Sequence, residues 1–315
     1  MLIEARQLRK FFTLSAEQRV HAVDDVSLGI HENEVLGLVG ESGSGKTTFG
    51  KTLIGLYDKT GGDVYFKGQK LPAAYKPEHF KQQASETQII FQDPYSSLNP
   101  RMTIFEIIAE GLLIRDQCSL NSVRDKVVYW LEKVGLHADH LSRYPHEFSG
   151  GQRQRVGIAR ALIVEPSLVV CDEPISALDV SVQAQVVQLL ADLKESMGLS
   201  LLFIAHDLSM VRYVSDRMAV MYLGSLIEIG PSNAVYFSPL HPYTKLLVSS
   251  NPEPDPRAER LRKDAIITGE IPSPVNLKPS CRFAGRCPHA EARCRSERPQ
   301  LREIASGHFV SCHLV

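Results

Sequence analysis

Apolar residues along this chain keep two different periods, and the places where the period changes divide it into segments. Up to residue 34 the spacing is two, with Val26, Leu28 and Ile30 on one face. That predicts antiparallel strands with one buried side, joined across the polar stretch Ser15 to Arg19. Val35-Leu36-Gly37-Leu38-Val39 is apolar throughout and predicts a buried parallel strand, and Thr48 to Leu56 predicts a helix. Val64-Tyr65-Phe66, bounded by Gly61-Gly62-Asp63 and Lys67-Gly68, reads as turn, strand, turn. Met221 to Ile227 reads as a hairpin around Leu223-Gly224, and both segments are expected to extend the antiparallel layer. Ile89-Ile90-Phe91 predicts a second buried strand, ended at Gln92-Asp93-Pro94 where proline cannot continue a ladder.

From Met102 to about Pro166 the period becomes 3.6, with Val123, Val127, Leu131 and Val134 on one helical face and a stop at Gly135. Leu168-Val169-Val170-Cys171-Asp172 returns to an apolar strand. Val182, Val186, Leu189, Leu193 and Met197 then mark an amphipathic helix closed by Gly198, and Ser200 to Ala205 is the next strand. Strands alternating with helices predict an α/β domain over residues 1–250, with a core sheet, an antiparallel β-layer and a helical subdomain at about 100–166. After Ser250 the texture changes. Pro252, Pro254, Pro256, Pro272, Pro274 and Pro279 punctuate a stretch of weak periodicity, so residues 251–315 are expected to form a linker and a small cysteine-containing tail domain.

Composition narrows the classes. The 315 residues carry 35 basic and 36 acidic side chains, a net charge of −1, so no global charge points to nucleic acid or to an anionic membrane surface. No apolar run reaches the roughly 20 residues that cross a bilayer. The first residues, Met1 to Arg6, lack the basic and apolar regions of a signal peptide, so a cytosolic chain is expected. Four of six cysteines lie between 281 and 312. In a reducing compartment such clustering favours metal ligands over disulfides.

The chemistry begins at Gly40-Glu41-Ser42-Gly43-Ser44-Gly45-Lys46-Thr47, which matches the phosphate-binding loop G-x-x-x-x-G-K-[ST] between a predicted strand and a predicted helix. Glycines let successive N–H groups curl toward an anion at the helix N-terminus, which gives a cradle for polyphosphate. Lys46 is placed to reach the β- and γ-phosphates, and Thr47 to offer its hydroxyl to Mg²⁺. The apolar strand ending Asp172-Glu173 fits a second element of the same machinery. Asp172 would hold Mg²⁺ through a water, and Glu173 would orient and polarise the attacking water. Alone, an acidic strand end is often only a solvated turn.

The stretch Phe148-Ser149-Gly150-Gly151-Gln152-Arg153-Gln154-Arg155 resembles the signature sequence of ATP-binding cassette (ABC) ATPases, with Phe148 where leucine is commoner. The resemblance implies roles for further residues. Gln92 would be the glutamine that touches Mg²⁺ and senses the γ-phosphate, Ser176-Ala177-Leu178-Asp179 the D-loop with Asp179 among the nucleotide-binding residues, and His206 the histidine that donates to a phosphate oxygen. Thr48 would join the phosphate contacts. Ser149, Gly150, Gly151 and Gln152 would bind the γ-phosphate held by a second cassette. The adenine would stack on an aromatic near the N-terminus, with Phe12 the best match and Phe11 or His21 the other candidates.

Asp93-Pro94-Tyr95-Ser96-Ser97-Leu98-Asn99-Pro100, Arg143-Tyr144-Pro145-His146-Glu147 and His241-Pro242-Tyr243-Thr244 carry the likeness further, to the dipeptide and oligopeptide importer ATPases of the dipeptide-permease F type. That likeness implies a peripheral subunit on the cytoplasmic face of the membrane. Its partners would be a paralogous ABC ATPase in a heterodimer, two transmembrane permeases and, indirectly, a peptide-binding protein, with no nucleic acid. Importers for nickel or glutathione share much of the pattern. A soluble ABC ATPase acting on DNA or ribosomes, or an exporter cassette, would need a coiled-coil insert, a second cassette or fused membrane spans that the sequence does not show.

Cys281, Cys287, Cys294 and Cys312 follow the spacing C-x5-C-x6-C-x17-C. Four thiolates suit a [4Fe–4S] cluster. Structural zinc more usually shows C-x₂₋₄-C spacing and is the alternative, with free thiols a third. Cys118 and Cys171 stand apart and read as unligated.

Overall fold

Runs of β-branched and aromatic residues interrupted by glycine turns produce half-buried strands such as β1 (Ile3–Thr13) and fully buried ones such as β3 (Val35–Val39) and β7 (Leu168–Asp172), and the two kinds lie in different sheets. A computed structural model describes residues 1–116, 119–250, 270 and 272–315. Cys118 and most of the proline-rich linker, including Pro252, Pro254 and Pro256, lie outside the described residues. By its internal contacts the chain divides into two units.

The first unit comprises Met1–Ile30, Val35–Ala74 and Ala205–Val315. Its antiparallel sheet has the order β2-β1-β4-β5, with β1 Ile3–Thr13, β2 Arg19–Ile30, β4 Gly61–Phe66 and β5 Gln69–Lys70. The hairpin of β1 and β2 turns at residues 14–18, where Leu14 N donates to Gln18 O, as the polar interruption predicts. Its remaining strands run in the order β11-β12-β10-β9-β3, with β3, β9 and β10 almost wholly buried and β11 exposed at the edge. Here β3 is Val35–Val39, β9 Arg217–Tyr222, β10 Ser225–Pro231, β11 Arg302–Ala305 and β12 His308–Val310.

The hairpin at Met221 to Ile227 therefore does not extend the antiparallel layer. β9 pairs in parallel with β3, Leu36 against Arg217 through Val39 against Val220. The reason lies in burial, since both faces of β9 and β10 are covered and a glycine-turn signal says nothing about which sheet a hairpin joins. The tail strand β12 pairs with β10, Glu228 against Val310, so the C-terminal segment completes this layer. Helices α1 Lys46–Leu53, α7 Leu208–Val214, α8 Ser232–Phe237, α9 Pro242–Ser249 and α10 Ala292–Ser296 belong to the same unit.

The second unit comprises His31–Glu34 and Tyr75–Ile204. Its parallel strands run β8-β7-β6, with β6 Thr87–Ile90, β7 Leu168–Asp172 and β8 Ser200–Ile204 in register from Leu168 against Ser200 to Asp172 against Ile204. All five residues of β7 are buried. Helices α2 Pro77–Glu86, α3 Ile104–Asp116, α4 Arg124–Lys133, α5 Gly150–Leu162 and α6 Val180–Met197 complete it. Ile104, Ile108, Leu112, Val127, Leu131 and Val156 are among the residues of the helical core, each burial contributing about 1.5–3 kcal/mol. Gly198 closes α6 in the left-handed conformation at φ 67°, which its lack of a Cβ permits.

Candidate functional site

The phosphate loop leaves the buried strand β3 and enters α1 through two close backbone approaches. A Cβ at Gly45, whose φ is 99°, would stand 2.0 Å from Ala22 O, and one at Gly40 would stand 2.2 Å from Met221 O. Only glycine threads both points. Ser42 and Gly43 are exposed at the loop's outer face, while Ser44 and Lys46 are buried. Lys46 Nζ donates to Gly40 O at 2.8 Å and Glu41 O at 3.1 Å, and so the ammonium is drawn across the loop. The buried Ser44 Oγ has no hydrogen-bond partner among the described residues. An orphan hydroxyl in a glycine cradle at a helix N-terminus is a site built for an anion. Thr47 and Thr48 follow in the first turn of α1, half-buried.

Near the predicted adenine end, the Phe11 and His21 rings meet tilted at 33° with centroids 4.3 Å apart. Phe12 instead meets Tyr57 edge-on at 5.7 Å, with Lys10 Nζ 4.9 Å above its ring.

In the second unit the buried Asp172 ends β7, and Glu173 follows with φ 46°, a conformation that side chains other than glycine rarely adopt. The turn is anchored by Glu173 N donating to Ile204 O at 3.0 Å. Gln92 Nε2 donates to Glu173 Oε2 at 2.9 Å, so two of the predicted residues, 81 positions apart, meet directly.

Ser149 caps α5: its Oγ accepts from Gln152 N, and its own N–H donates to Gln152 Oε1 at 3.0 Å. Ser149 and Gly150 stay exposed there, and Phe148 is buried with its ring 5.2 Å from that of His140. An apolar ring thus fills the place where leucine is expected. Asp179 caps α6, accepting from Ser181 Oγ at 2.7 Å and Val182 N at 3.0 Å, and these hydrogen bonds hold its carboxyl below the usual range. His206 is exposed just after β8.

The same unit holds a cavity of about 270 Å³ bordered by Lys81, Gln88, Phe91, Glu110, Arg115 and Arg160. Arg160 Nη1 donates to Ser97 O at 2.6 Å, and the Arg153 guanidinium stands 4.4 Å from the Tyr95 ring centroid. Two arginines of the signature helix α5 thus hold the segment that follows Gln92.

In the tail, Cys281, Cys287, Cys294 and Cys312 are free thiols, as is the buried Cys171. Burial pushes Cys281 up to about 11, and the neighbouring thiols of Cys294, Cys312 and Cys287 act in the same direction. Among the described residues, however, no set of three or more His, Cys, Asp or Glu side chains is arranged to hold a metal ion, so neither the cluster nor the zinc expectation gains ligand geometry.

Two residues beside the phosphate loop escaped the sequence reading. Tyr243 Oη accepts from Glu41 N at 2.9 Å, and Arg286 makes a two-pronged ion pair with the Glu41 carboxylate. Tyr243 carried a signal in the His241-Pro242-Tyr243-Thr244 segment; Arg286, between two cysteines, carried none.

Comparison with known proteins gives the following. Residues 23–176 match the family described as ABC transporter, and residues 227–294 match the oligopeptide/dipeptide transporter C-terminal region. The chain is 54% identical over 292 residues to the oligopeptide transport ATP-binding protein OppF of Salmonella typhimurium, covering 92% of this chain and 87% of that one. It is 46% identical to the oligopeptide transport ATP-binding protein AppF of Bacillus subtilis, covering 99% and 97%. Among solved structures, the dimeric post-hydrolysis state of the ATP-binding cassette MJ0796 bound to ADP and Pi is 28% identical with TM-score 0.67, covering 73% of this chain and 98% of that one.

Proposed function

Because this chain belongs to the family of oligopeptide transport ATP-binding proteins of ABC transporters, we propose that it is the ATP-hydrolysing motor subunit of a peptide importer. The observation that carries the reading is the phosphate loop, with its glycine cradle, orphan Ser44 hydroxyl and Lys46 drawn across it. On ATP binding, Lys46 would exchange the Gly40 and Glu41 carbonyls for phosphate oxygens, and the N–H groups from Ser42 to Thr48 would take the remaining charge. Phe12 is the proposed adenine platform.

Thr47, Gln92 and Asp172 supply a hydroxyl, an amide oxygen and a carboxylate, the hard donors that Mg²⁺ prefers. When bound, Mg²⁺ neutralises charge between the phosphates. Glu173 acts as the base that aligns the attacking water, with Gln92 fixing its carboxylate and His206 donating to a phosphate oxygen. Ser149, Gly150, Gly151, Gln152 and Asp179 are proposed to face the nucleotide of a second cassette, a paralogue in a head-to-tail heterodimer. Among the described residues no helix is long and apolar enough to cross a membrane. Attachment at the cytoplasmic face would then come through two permease subunits. The cavity bordered by Phe91 and Arg160 is proposed to receive a short permease helix.

For the tail we propose a [4Fe–4S] cluster on Cys281, Cys287, Cys294 and Cys312, because four free thiols within one short segment match the donor set that such a cluster requires. It would staple a short segment rather than take part in hydrolysis.

The transport reading is tested by reconstituting the chain with its permeases, partner cassette and binding protein in vesicles. Short peptides are expected to stimulate ATP hydrolysis and to accumulate inside. Stimulation by nickel or glutathione and not by peptides would overturn the peptide assignment while leaving the motor reading in place.

A further inference from the structure

A carboxylate in a loop built for polyphosphate works against its purpose, and Glu41 occupies that position directly after Gly40. In the structure its charge is cancelled. Arg286 Nη1 donates to Glu41 Oε2 at 2.8 Å and Nη2 to Oε1 at 3.0 Å. Nη1 also donates to Tyr222 Oη at 3.2 Å. The Arg286 side chain is only 4% exposed and that of Glu41 20%, so the pair is largely shielded from solvent. A planar guanidinium meeting a carboxylate through two parallel bonds fixes orientation as well as charge. The main chain of Glu41 is held too, since its N–H donates to Tyr243 Oη. Tyr222, Tyr243 and Phe283 pack around the pair with ring centroids 4.6 to 5.4 Å apart. The open side of the phosphate loop thus rests on a residue some 245 positions later in the chain.

The same tail grips the other end of the site. Pro274 O accepts from His21 N at 2.9 Å, and Asn276 N donates to Arg19 O at 2.9 Å, which makes a single antiparallel bridge between Val275 and Val20 of β2, next to the Phe11 and His21 rings. Asn276 Nδ2 donates to Glu17 O at 2.7 Å, and so the hairpin loop at Ser15 to Arg19 is pinned as well. Between these ends, Arg282 pairs with Asp24, and Asp24 N donates to Gly224 O at 2.8 Å.

We propose that the C-terminal tail is a clamp on the nucleotide site, in which Arg286 is a positioning residue that neutralises Glu41 and fixes the phosphate loop for ATP. The inference rests on reading that loop as the ATP site. Without the guanidinium, an uncompensated carboxylate would face the incoming phosphates, and its repulsion would be strong in a poorly solvated groove and weaker in salt.

The test is equilibrium binding of ATP to the full-length protein at low and high salt, with thermal unfolding as the check on folding. Arg286→Ala is expected to weaken binding by about tenfold at low salt, with a smaller gap at high salt. Adding Glu41→Gln to Arg286→Ala is expected to restore affinity to within about threefold of the parent, because the offending charge is then gone. Arg293→Ala, which breaks an exposed ion pair elsewhere in the tail, should leave affinity unchanged. If Arg286→Ala does not fold, Arg286→Lys and Arg286→Gln, which differ in charge, carry the same comparison. Unchanged affinity on loss of the charge, or a loss that Glu41→Gln does not relieve, would overturn the proposal. Failure of the parent protein to bind ATP would instead overturn the site reading, and the clamp with it.

Discussion

Gln92 Nε2 donates a 2.9 Å hydrogen bond to Glu173 Oε2. The bond joins the loop after β6 to the turn after β7, and it holds the carboxylate at a residue whose φ of 46° already fixes the backbone. Glu173→Gln should leave ATP binding intact and stop turnover, since the amide keeps the shape and loses the base. Gln92→Ala should lower turnover by about tenfold with a smaller effect on binding, the scale of one lost orienting hydrogen bond to a charged group. Lys46→Ala should instead weaken binding. Steady-state hydrolysis and equilibrium binding measured on the three variants separate these outcomes, and near-normal hydrolysis by Glu173→Gln would sink the assignment.

The motifs were legible because each is a local string whose residues do chemistry within a few positions of one another. Gly40 to Thr47 predicts its own turn, and Ser149 to Gln152 its own cap. The pairing of β9 with β3 was not legible. A hairpin signal at Leu223-Gly224 fixes a turn, and nothing within seven residues says which strand the hairpin lies against. The tie between Arg286 and Glu41 was hidden for a stronger reason, because single-sequence patterns carry no record of contacts hundreds of residues apart. Lys46 on the Gly40 and Glu41 carbonyls and the orphan Ser44 hydroxyl are also facts of three-dimensional geometry that a local string does not carry.

Tyr95 stands two-thirds exposed beneath the Arg153 guanidinium, while Leu98, three residues on, is buried. The segment from Tyr95 to Leu98 is therefore held from the signature helix and offers an aromatic face outward, three residues after the Gln92 that donates to Glu173. Tyr95→Ala should keep basal hydrolysis within about twofold, because only an exposed cation–π contact is lost. Peptide-stimulated hydrolysis in the reconstituted transporter should fall several-fold. Cysteine crosslinks from position 95 should reach a permease subunit, and crosslinks to soluble proteins alone would contradict the transporter assembly.

The four tail thiols give a prediction with a visible readout. Protein purified without oxygen should be brown and contain iron and acid-labile sulfide, and Cys294→Ser or Cys312→Ser should remove both. The tail strand β12 is fastened to β10 through Glu228 and His308, whose Nε2 lies 2.8 Å from Glu228 Oε1, so these variants should retain much of their fold. Colourless protein loaded with zinc from an iron-replete host would replace the cluster with a zinc site.

His241 offers a pH dependence of definite sign. Its ring is buried at the start of α9, where Nδ1 accepts from Tyr243 N at 3.0 Å. Burial pushes its pKa down from the ordinary 6.5 to about 3, and the nearby Lys245 ammonium acts in the same direction. Glu228 accepts from His241 N at 2.8 Å and from Leu240 N and His308, so the surrounding carboxylate is already engaged. Below about pH 6.5 the unfolded chain takes a proton on this histidine while the folded chain does not. The stability it contributes is therefore full above that pH and is lost as the pH falls toward about 3, at up to about 1.4 kcal/mol per pH unit. His241→Asn retains a side-chain oxygen to cap Tyr243 N and removes the titrating group. Between pH 7 and pH 5 the parent protein should lose about 2 kcal/mol more than this variant, which would be seen as a steeper fall in Tm. Equal slopes for the two proteins in thermal unfolding across that window would show that His241 is not the group responsible.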